Sequence, residues 1–161
     1  MGSKNKLKKF NENLNFQNLF QPTRDDILKS NFKFKGRWND YFENSYPITL
    51  ELGCGKGEYS FELAKKYQNR NFIGIDIKGA RIWTGAKKST NLKMKNICFI
   101  RTNIDLIGNL FSDSEIDEIW ITFPDPQIKI QRKKHRLINE FYFALYKRIL
   151  KKDGVIHLKT D

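Results

Sequence analysis

The feature of this chain that most constrains its fold is an apolar segment that runs directly into a glycine-rich turn. Residues 48–52 read Ile-Thr-Leu-Glu-Leu, and residues 53–57 read Gly-Cys-Gly-Lys-Gly. A second apolar segment follows at 72–76 and ends on Asp76. This order is typical of a strand, a tight turn, a helix and a parallel strand that ends on a carboxylate. Such units occur in α/β proteins whose ligands bind at the carboxyl ends of the strands.

The glycine turn predicts a site for a nucleoside cofactor. Gly53 permits the tight turn, Gly55 lets a ligand lie against bare backbone, and Asp76 is placed to accept hydrogen bonds from both ribose hydroxyls. Glu51 and Glu58 flank the turn, and carboxylates at that position would repel a diphosphate but attract a cation. We therefore predict S-adenosylmethionine, which carries a sulfonium and an ammonium group, rather than a dinucleotide. The alternative is a turn that binds no nucleotide and leaves Glu51 solvated.

Composition indicates which partners and which cellular location to expect for the protein. The net charge of +12 and the sequence pI near 9.7 favour a polyanionic partner or a membrane surface. Cys54 and Cys98 are expected to be reduced thiols, which is typical of a cytoplasmic protein. No apolar run has the length of a membrane span, and no cluster has the spacing of a zinc site. We expect a cytoplasmic protein without membrane or metal, and the sequence leaves monomer and homodimer open.

The chain divides into three segments by composition. Residues 1–20 mix lysines with Asn and Gln and lack the periodicity of a core element, so we predict a mobile basic arm. Residues 21–47 carry scattered aromatic side chains and are expected to pack as a lead-in against the domain edge. Residues 48–161 are predicted to form the cofactor-binding domain.

Residues 48–161 show the alternation of a doubly wound α/β fold. Apolar runs predict strands at 48–52, 72–75, 97–101, 116–122 and 155–158. Helices are predicted at 58–67, 80–89, 105–111 and 138–150. Strands separated by helices pair in parallel through right-handed crossovers, so we expect a mostly parallel, Rossmann-like sheet. The chain ends just after the fifth strand, and we expect the C-terminal strands of such a sheet to be missing.

Polar residues after the third and fourth predicted strands are candidates for the site. Asn103 is placed to pair with an adenine through its amide, or alternatively to cap the helical segment that follows it. The sequence does not choose between these roles. Asp125 lies between Pro124 and Pro126, which restrict the backbone on both sides of the carboxylate. We predict that this loop holds Asp125 near the methyl donor and the acceptor, rather than forming an ordinary turn.

The densest run of basic residues follows this loop, at 129–136. Charge runs are usually solvated surface, but this one would line the route to the predicted site. We expect it to hold RNA through phosphate contacts that do not read the bases. We name residues 129–136 the basic strip.

These segments resemble the bacterial tRNA (guanine-N7-)-methyltransferases, a family of class I S-adenosylmethionine-dependent methyltransferases. The resemblance covers residues 4–161 and rests on four motifs, at 50–57, 74–76, 123–126 and 158–161. It implies methyl transfer from S-adenosylmethionine to N7 of a guanine in the variable loop of tRNA. By resemblance, the residues that bind S-adenosylmethionine are Glu51, Asp76, Asn103 and Asp125. The resemblance also implies a catalytic role for Asp125 and tRNA contacts for Lys129 and Asp161.

The chain departs from the family pattern in three places. Asp76 stands where the family commonly has Glu, and the segment at 125–132 lacks a tryptophan and two basic positions of the family. The family's C-terminal Thr-x-[Phe/Tyr]-Glu motif is absent. Two other functions stay open: an RNA methyltransferase acting on an exocyclic base amine, and a non-catalytic RNA-binding module. The former commonly carries a second proline and an aromatic residue after Pro126, where this chain has Gln127 and Ile128.

Overall fold

Six parallel strands form one sheet in a computed structural model that describes residues 3–160. The strands are β1 (Leu19–Phe20), β2 (Ile48–Leu52), β3 (Asn71–Asp76), β4 (Ile97–Arg101), β5 (Ile116–Thr122) and β6 (Leu150–Lys159). The helices are α1 (Ser3–Asn13), α2 (Arg24–Ser30), α3 (Trp38–Phe42), α4 (Glu58–Lys66), α5 (Gly79–Asn91), α6 (Ile107–Leu110) and α7 (Glu140–Ile149). Short 3₁₀ helices lie at Ile104–Leu106 and Ile130–His135.

The strand order β1-β4-β3-β2-β5-β6 confirms the predicted doubly wound sheet. From β2 the chain moves through β3 to β4, and then returns to the other side of β2 as β5 and β6. The order therefore reverses between β2 and β5, and crevices at such reversals bind ligands in α/β proteins. The glycine turn, Asp76 and the loop after β5 all meet at this edge of the sheet.

Successive side chains of the strands point to opposite faces of the sheet and pack into two hydrophobic cores. Ile73 and Ile75 of β3 pack with residues of α2, α3, α6 and α7 on one face, whereas Phe72 packs with residues of α4 and α5 on the other. The lead-in, residues 21–47, belongs to the first face. Its Trp38 is fully buried and donates its indole N–H to the Leu110 carbonyl oxygen at 3.0 Å. The lead-in is thus a layer of the core over one face of the sheet, not packing at an edge.

The prediction of a mobile arm is wrong for residues 3–20. Helix α1 packs along α5, where Asn13 is 1% exposed and donates from its amide to the Gly79 carbonyl oxygen at 2.9 Å. Glu12 accepts a hydrogen bond from the Trp83 indole at 2.7 Å, and β1 then pairs with β4. Glu12 and Asn13 thus bond to residues of α5 that are distant in the sequence, which composition alone does not reveal.

The strands at 48–52, 97–101 and 116–122 are confirmed at their predicted bounds. Strand β6 begins at Leu150, ahead of the predicted residue 155, and its pairing with β5 is irregular between Ile116 and Glu118. Among residues 3–160, no helix is both long enough and apolar enough to cross a membrane.

Candidate functional site

The glycine turn after β2 wraps tightly against β3. The amides of Gly53 and Cys54 both donate to the Ile75 carbonyl oxygen, each at 2.9 Å. Gly55 and Gly57 have φ of +57° and +69°, in the left-handed region that favours glycine. A Cβ at Gly55 would have no atom of the described residues within 4 Å. Bare backbone at Gly55 therefore faces open space, as the approach of a ligand requires.

Asp76 is held in place by backbone donors on both carboxylate oxygens. Oδ2 accepts from the Gly55 amide at 2.8 Å, and Oδ1 accepts from the Lys78 amide at 2.7 Å. Each oxygen keeps a further lone pair. The carboxylate is thus oriented by the turn itself and still has acceptor capacity for two hydroxyl groups.

A cavity of about 1020 Å³ opens at the carboxyl ends of the strands. It brings together four of the predicted residues, Gly53, Asp76, Asn103 and Asp125. Asn103 precedes the Ile104–Leu106 turn, but its side chain makes no capping hydrogen bond. The capping alternative is therefore wrong, and the Asn103 amide is available to the cavity.

Glu51 is buried beneath the glycine turn and is 2% exposed. Its Oε2 accepts from both the amide and the hydroxyl of Ser60, and its Oε1 accepts from the Thr122 hydroxyl at 2.7 Å. Burial raises the pKa of Glu51, although the hydrogen bonds from Ser60 and Thr122 act in the opposite direction. The alternative of a solvated Glu51 is therefore wrong.

A second cavity, of about 680 Å³, adjoins the first and has Glu51 in its wall. The two cavities share Arg81, Thr122 and Phe123. The other residues that line the second cavity are Cys54, Lys56, Glu58, Tyr59 and Glu62. Sequence reasoning missed Arg81 and Thr122, because neither belongs to a recognisable motif. Only the position of Thr122, one residue before the Phe123-Pro124-Asp125-Pro126 segment, could have marked it as a site residue.

The loop after β5 is held at several points. Phe123 donates its amide to the Lys159 carbonyl oxygen at 2.8 Å, and Asp125 Oδ1 accepts from the Gln127 amide at 3.0 Å. Phe123 and Gln127 have φ of +46° and +45°, a strained conformation for residues other than glycine. Strain of this kind concentrates at functional sites. The loop therefore presents an exposed Asp125 carboxylate to the main cavity from a defined backbone.

The basic strip borders the main cavity on the side of this loop. Arg136 donates from Nε and Nη2 to the Gln127 carbonyl oxygen, each at 3.3 Å, so the strip is tied to the loop that carries Asp125. Lys134 and His135 line the cavity, whereas Lys129 is exposed outside it. Asp161 lies outside the described residues. The predicted tRNA contacts of Lys129 and Asp161 stay predictions.

Comparisons with known proteins show the family to which the chain is similar. Residues 45–161 match the model of a family described as putative methyltransferase. The chain is 56% identical over its whole length to a tRNA (guanine-N(7)-)-methyltransferase of Christiangramia forsetii, of which it covers 72%. It is 45% identical, over 98% of its length, to a tRNA (guanine-N(7)-)-methyltransferase of Bacteroides thetaiotaomicron, of which it covers 62%. The chain thus spans under three quarters of the first of these curated relatives and under two thirds of the second.

A solved structure shows the same fold at low sequence identity. The crystal structure of a 30S ribosomal A1408 methyltransferase from an uncultured bacterium aligns with a TM-score of 0.59 and 21% identity. The alignment covers 76% of this chain and 58% of the other. This likeness concerns the fold of the two proteins alone.

Proposed function

This chain belongs to the family of tRNA (guanine-N(7)-)-methyltransferases, and from that premise we propose that it methylates N7 of a guanine in the variable loop of tRNA, with S-adenosylmethionine as the methyl donor. One observation on this chain supports the proposal most directly. The main cavity gathers Asp76, Asn103 and Asp125 from three different strand ends beside Gly53 of the glycine turn. A non-catalytic RNA-binding module has no need of that arrangement.

The residues present fit S-adenosylmethionine. The Asp76 carboxylate is already oriented by two backbone amides and would accept hydrogen bonds from the ribose hydroxyls. The side-chain amide of Asn103 makes no capping hydrogen bond and would pair with the adenine. Gly55 leaves room for the ligand to lie against the turn. When bound, S-adenosylmethionine supplies an electrophilic methyl group on a sulfonium.

The task left to the protein is orientation and charge stabilisation. N7 of guanine has a free lone pair and no proton to lose, so the reaction needs no strong general base. Holding two reactants in line contributes up to about 7–11 kcal/mol in well-oriented systems. As the bond from N7 to the methyl carbon forms, the bond from that carbon to sulfur breaks, neutral S-adenosylhomocysteine leaves, and the purine becomes cationic. The Asp125 carboxylate would stabilise that charge.

The surface charge supports a tRNA substrate. The exposed cations of the basic strip lie beside the cavity, and their phosphate contacts position an RNA without selecting its sequence. Methylation of cytoplasmic tRNA would place the protein in the cytoplasm, as predicted from its thiols.

The proposal is tested by incubating the protein with tRNA and S-adenosylmethionine, followed by mass analysis of the nucleosides. We expect 7-methylguanosine. Asp125→Asn should lower the rate of methyl transfer at least about tenfold while tRNA affinity changes little, because the carboxylate acts most strongly as the purine becomes cationic. Asp153→Asn, an exposed carboxylate that lines neither cavity, is the matched control. The control should keep the parental rate.

Other outcomes would contradict the proposal in distinct ways. Methylation of an exocyclic amine would show that the reaction is assigned to the wrong atom. Binding of tRNA without methyl transfer would favour the RNA-binding module. A parental rate in Asp125→Asn would reduce Asp125 to a turn residue.

A further inference from the structure

Two large apolar side chains project into solvent beside the main cavity. Ile128 is 82% exposed and Ile130 is 88% exposed, the highest values among the large apolar side chains of the described residues. Both follow closely on Gln127, which lines the main cavity. We name Ile128 and Ile130 the apolar tip. Exposure of such side chains to water is unfavourable, and a pair of them at the rim of a site indicates a contact surface.

The backbone that carries the apolar tip is bonded on both sides of it. On one side, the Gln127 amide donates to Asp125 Oδ1 at 3.0 Å, and the Gln127 carbonyl oxygen accepts two hydrogen bonds from the Arg136 guanidinium. On the other side, the Arg132 amide donates to the Lys129 carbonyl oxygen at 2.9 Å, where a 3₁₀ helix begins. The tip therefore projects from the same bonded loop that presents Asp125 to the cavity.

The formal charges around the apolar tip are all positive. From Pro126 to Asn139 the sequence has no aspartate and no glutamate. The cations of this segment are Lys129, Arg132, Lys133, Lys134 and Arg136. A second copy of this chain would bring the same charges together, and their repulsion disfavours self-association through the tip. A partner that covers the tip must therefore carry negative charge and an apolar surface at once.

A folded RNA offers both of these properties. Its phosphates carry the negative charge, and the faces of its stacked bases are apolar. Apolar side chains of nucleic-acid-binding proteins insert between such bases as wedges. Lys129 lies between Ile128 and Ile130 in the sequence, so adjacent residues would contact a phosphate and the bases beside it.

The position of the tip beside the cavity indicates what the wedge does. In A-form RNA, N7 of a stacked guanine faces the deep, narrow major groove, which side chains do not reach. Enzymes that act on a base take it out of the stack, which leaves a gap between its neighbours. We propose that the apolar tip inserts into the base stack of the tRNA beside the target guanine and fills the gap while that guanine occupies the main cavity. The inference rests on the proposed function for its substrate and its target base.

Fluorescence of a tRNA that carries 2-aminopurine in place of the target guanine tests the inference. This base is dim when stacked and bright when unstacked, so we expect its emission to rise when the tRNA binds the intact chain with S-adenosylhomocysteine. A variant with both Ile128→Ser and Ile130→Ser should reduce the rise at least about threefold, because the serines do not fill the gap. Its affinity for tRNA should stay within about threefold, since phosphate contacts dominate binding.

Two further variants serve as controls. Replacement of both isoleucines by leucine keeps an apolar tip and should keep the rise in emission. Leu92→Ser removes an exposed apolar side chain that lines neither cavity, at the end of α5, and should change neither the emission nor the affinity.

Several results would overturn the inference. A full rise in emission with the two serines would show that the tip does not hold the gap open, and would leave it as a surface for an acidic protein. Equal losses of emission and of tRNA affinity would make the tip a general docking contact rather than a wedge. The absence of any rise with the parent, in a preparation that forms 7-methylguanosine in ordinary tRNA, would refute the wedge and leave the proposed function standing. Failure to form 7-methylguanosine at all would instead contradict the proposed function.

Discussion

Replacement of Gly57 by alanine should destabilise the fold through one buried ring. A Cβ at Gly57 would lie 2.4 Å from Cε1 and 2.9 Å from Cζ of Phe99, which is fully buried. The ring cannot shift away from the new methyl group, because the backbone at Gly74 and Gly85 also packs closely against it. A Cβ at Gly74 would lie 2.8 Å from the ring, and a Cβ at Gly85 would lie 2.6 Å from it. Three glycines therefore form the slot that holds Phe99.

Two costs add at Gly57. An alanine at a φ of +69° costs about 1–2 kcal/mol. Overpacking of a buried ring costs about 1–3 kcal/mol. The expected loss is therefore about 2–5 kcal/mol, a large part of the about 5–15 kcal/mol by which most domains are stable. In a chain of this size it corresponds to a fall in Tm of about 4–20 °C.

Gly55→Ala provides the matched control. Gly55 has a similar φ of +57°, but no atom of the described residues lies within 4 Å of the added Cβ. Only the backbone cost of about 1–2 kcal/mol applies there. The difference between the two variants in thermal or urea unfolding thus measures the clash with Phe99 alone. In contrast, Gly55→Ala should weaken S-adenosylhomocysteine, because its methyl group enters the space that the ligand approaches.

Equal destabilisation by the two substitutions would refute this explanation of the slot. A second check is Phe99→Leu in the Gly57→Ala background. The smaller side chain leaves room for the new methyl group and should recover part of the stability. Failure of that rescue would show that the ring is not the source of the cost.

Two further predictions concern charge. Burial raises the pKa of Glu51 above 4.5, so the folded state binds this proton more tightly than the unfolded chain does. The free energy of unfolding therefore falls as the pH rises from 4.5 through the pKa of the folded state. Glu51→Gln should therefore gain stability relative to the parent as the pH rises, in Tm values measured across that range, and a constant difference would contradict the assignment. Reversal of the three charges at 132–134 should make the slope of log affinity for tRNA against log salt concentration less steep. The expected change is a little under one unit for each phosphate that the basic strip no longer neutralises. Reversal of the exposed lysines at 65–66, at the far end of α4, should leave the slope unchanged, and an equal effect of both reversals would mean that the strip is ordinary charged surface.

Local patterns were enough to locate most of the sheet. The strands at 48–52 and 97–101 are continuous apolar runs, because a strand covered on both faces needs apolar side chains at every position or nearly so. In contrast, the pattern of residues 1–20 carried no sign of a packed element. Helix α1 is held by bonds from polar side chains such as Asn13 to another helix, and their partners are distant in the sequence.

The sequence by itself determined the parallel α/β core, the glycine turn and the carboxylate at the end of β3, because each depends on the conformational limits of a few neighbouring residues. Only the tertiary structure decided which charged side chains around the turn are buried and which are exposed. Glu51 and Glu58 look alike in the sequence, yet Glu51 is buried with Ser60 and Thr122, and Glu58 is exposed. Arg81 likewise acquires a place at the junction of two cavities because α5 packs over the turn. The pKa of a carboxylate and the surroundings of a guanidinium depend on burial and on contacts with residues distant in the sequence. Local sequence patterns do not show either of these.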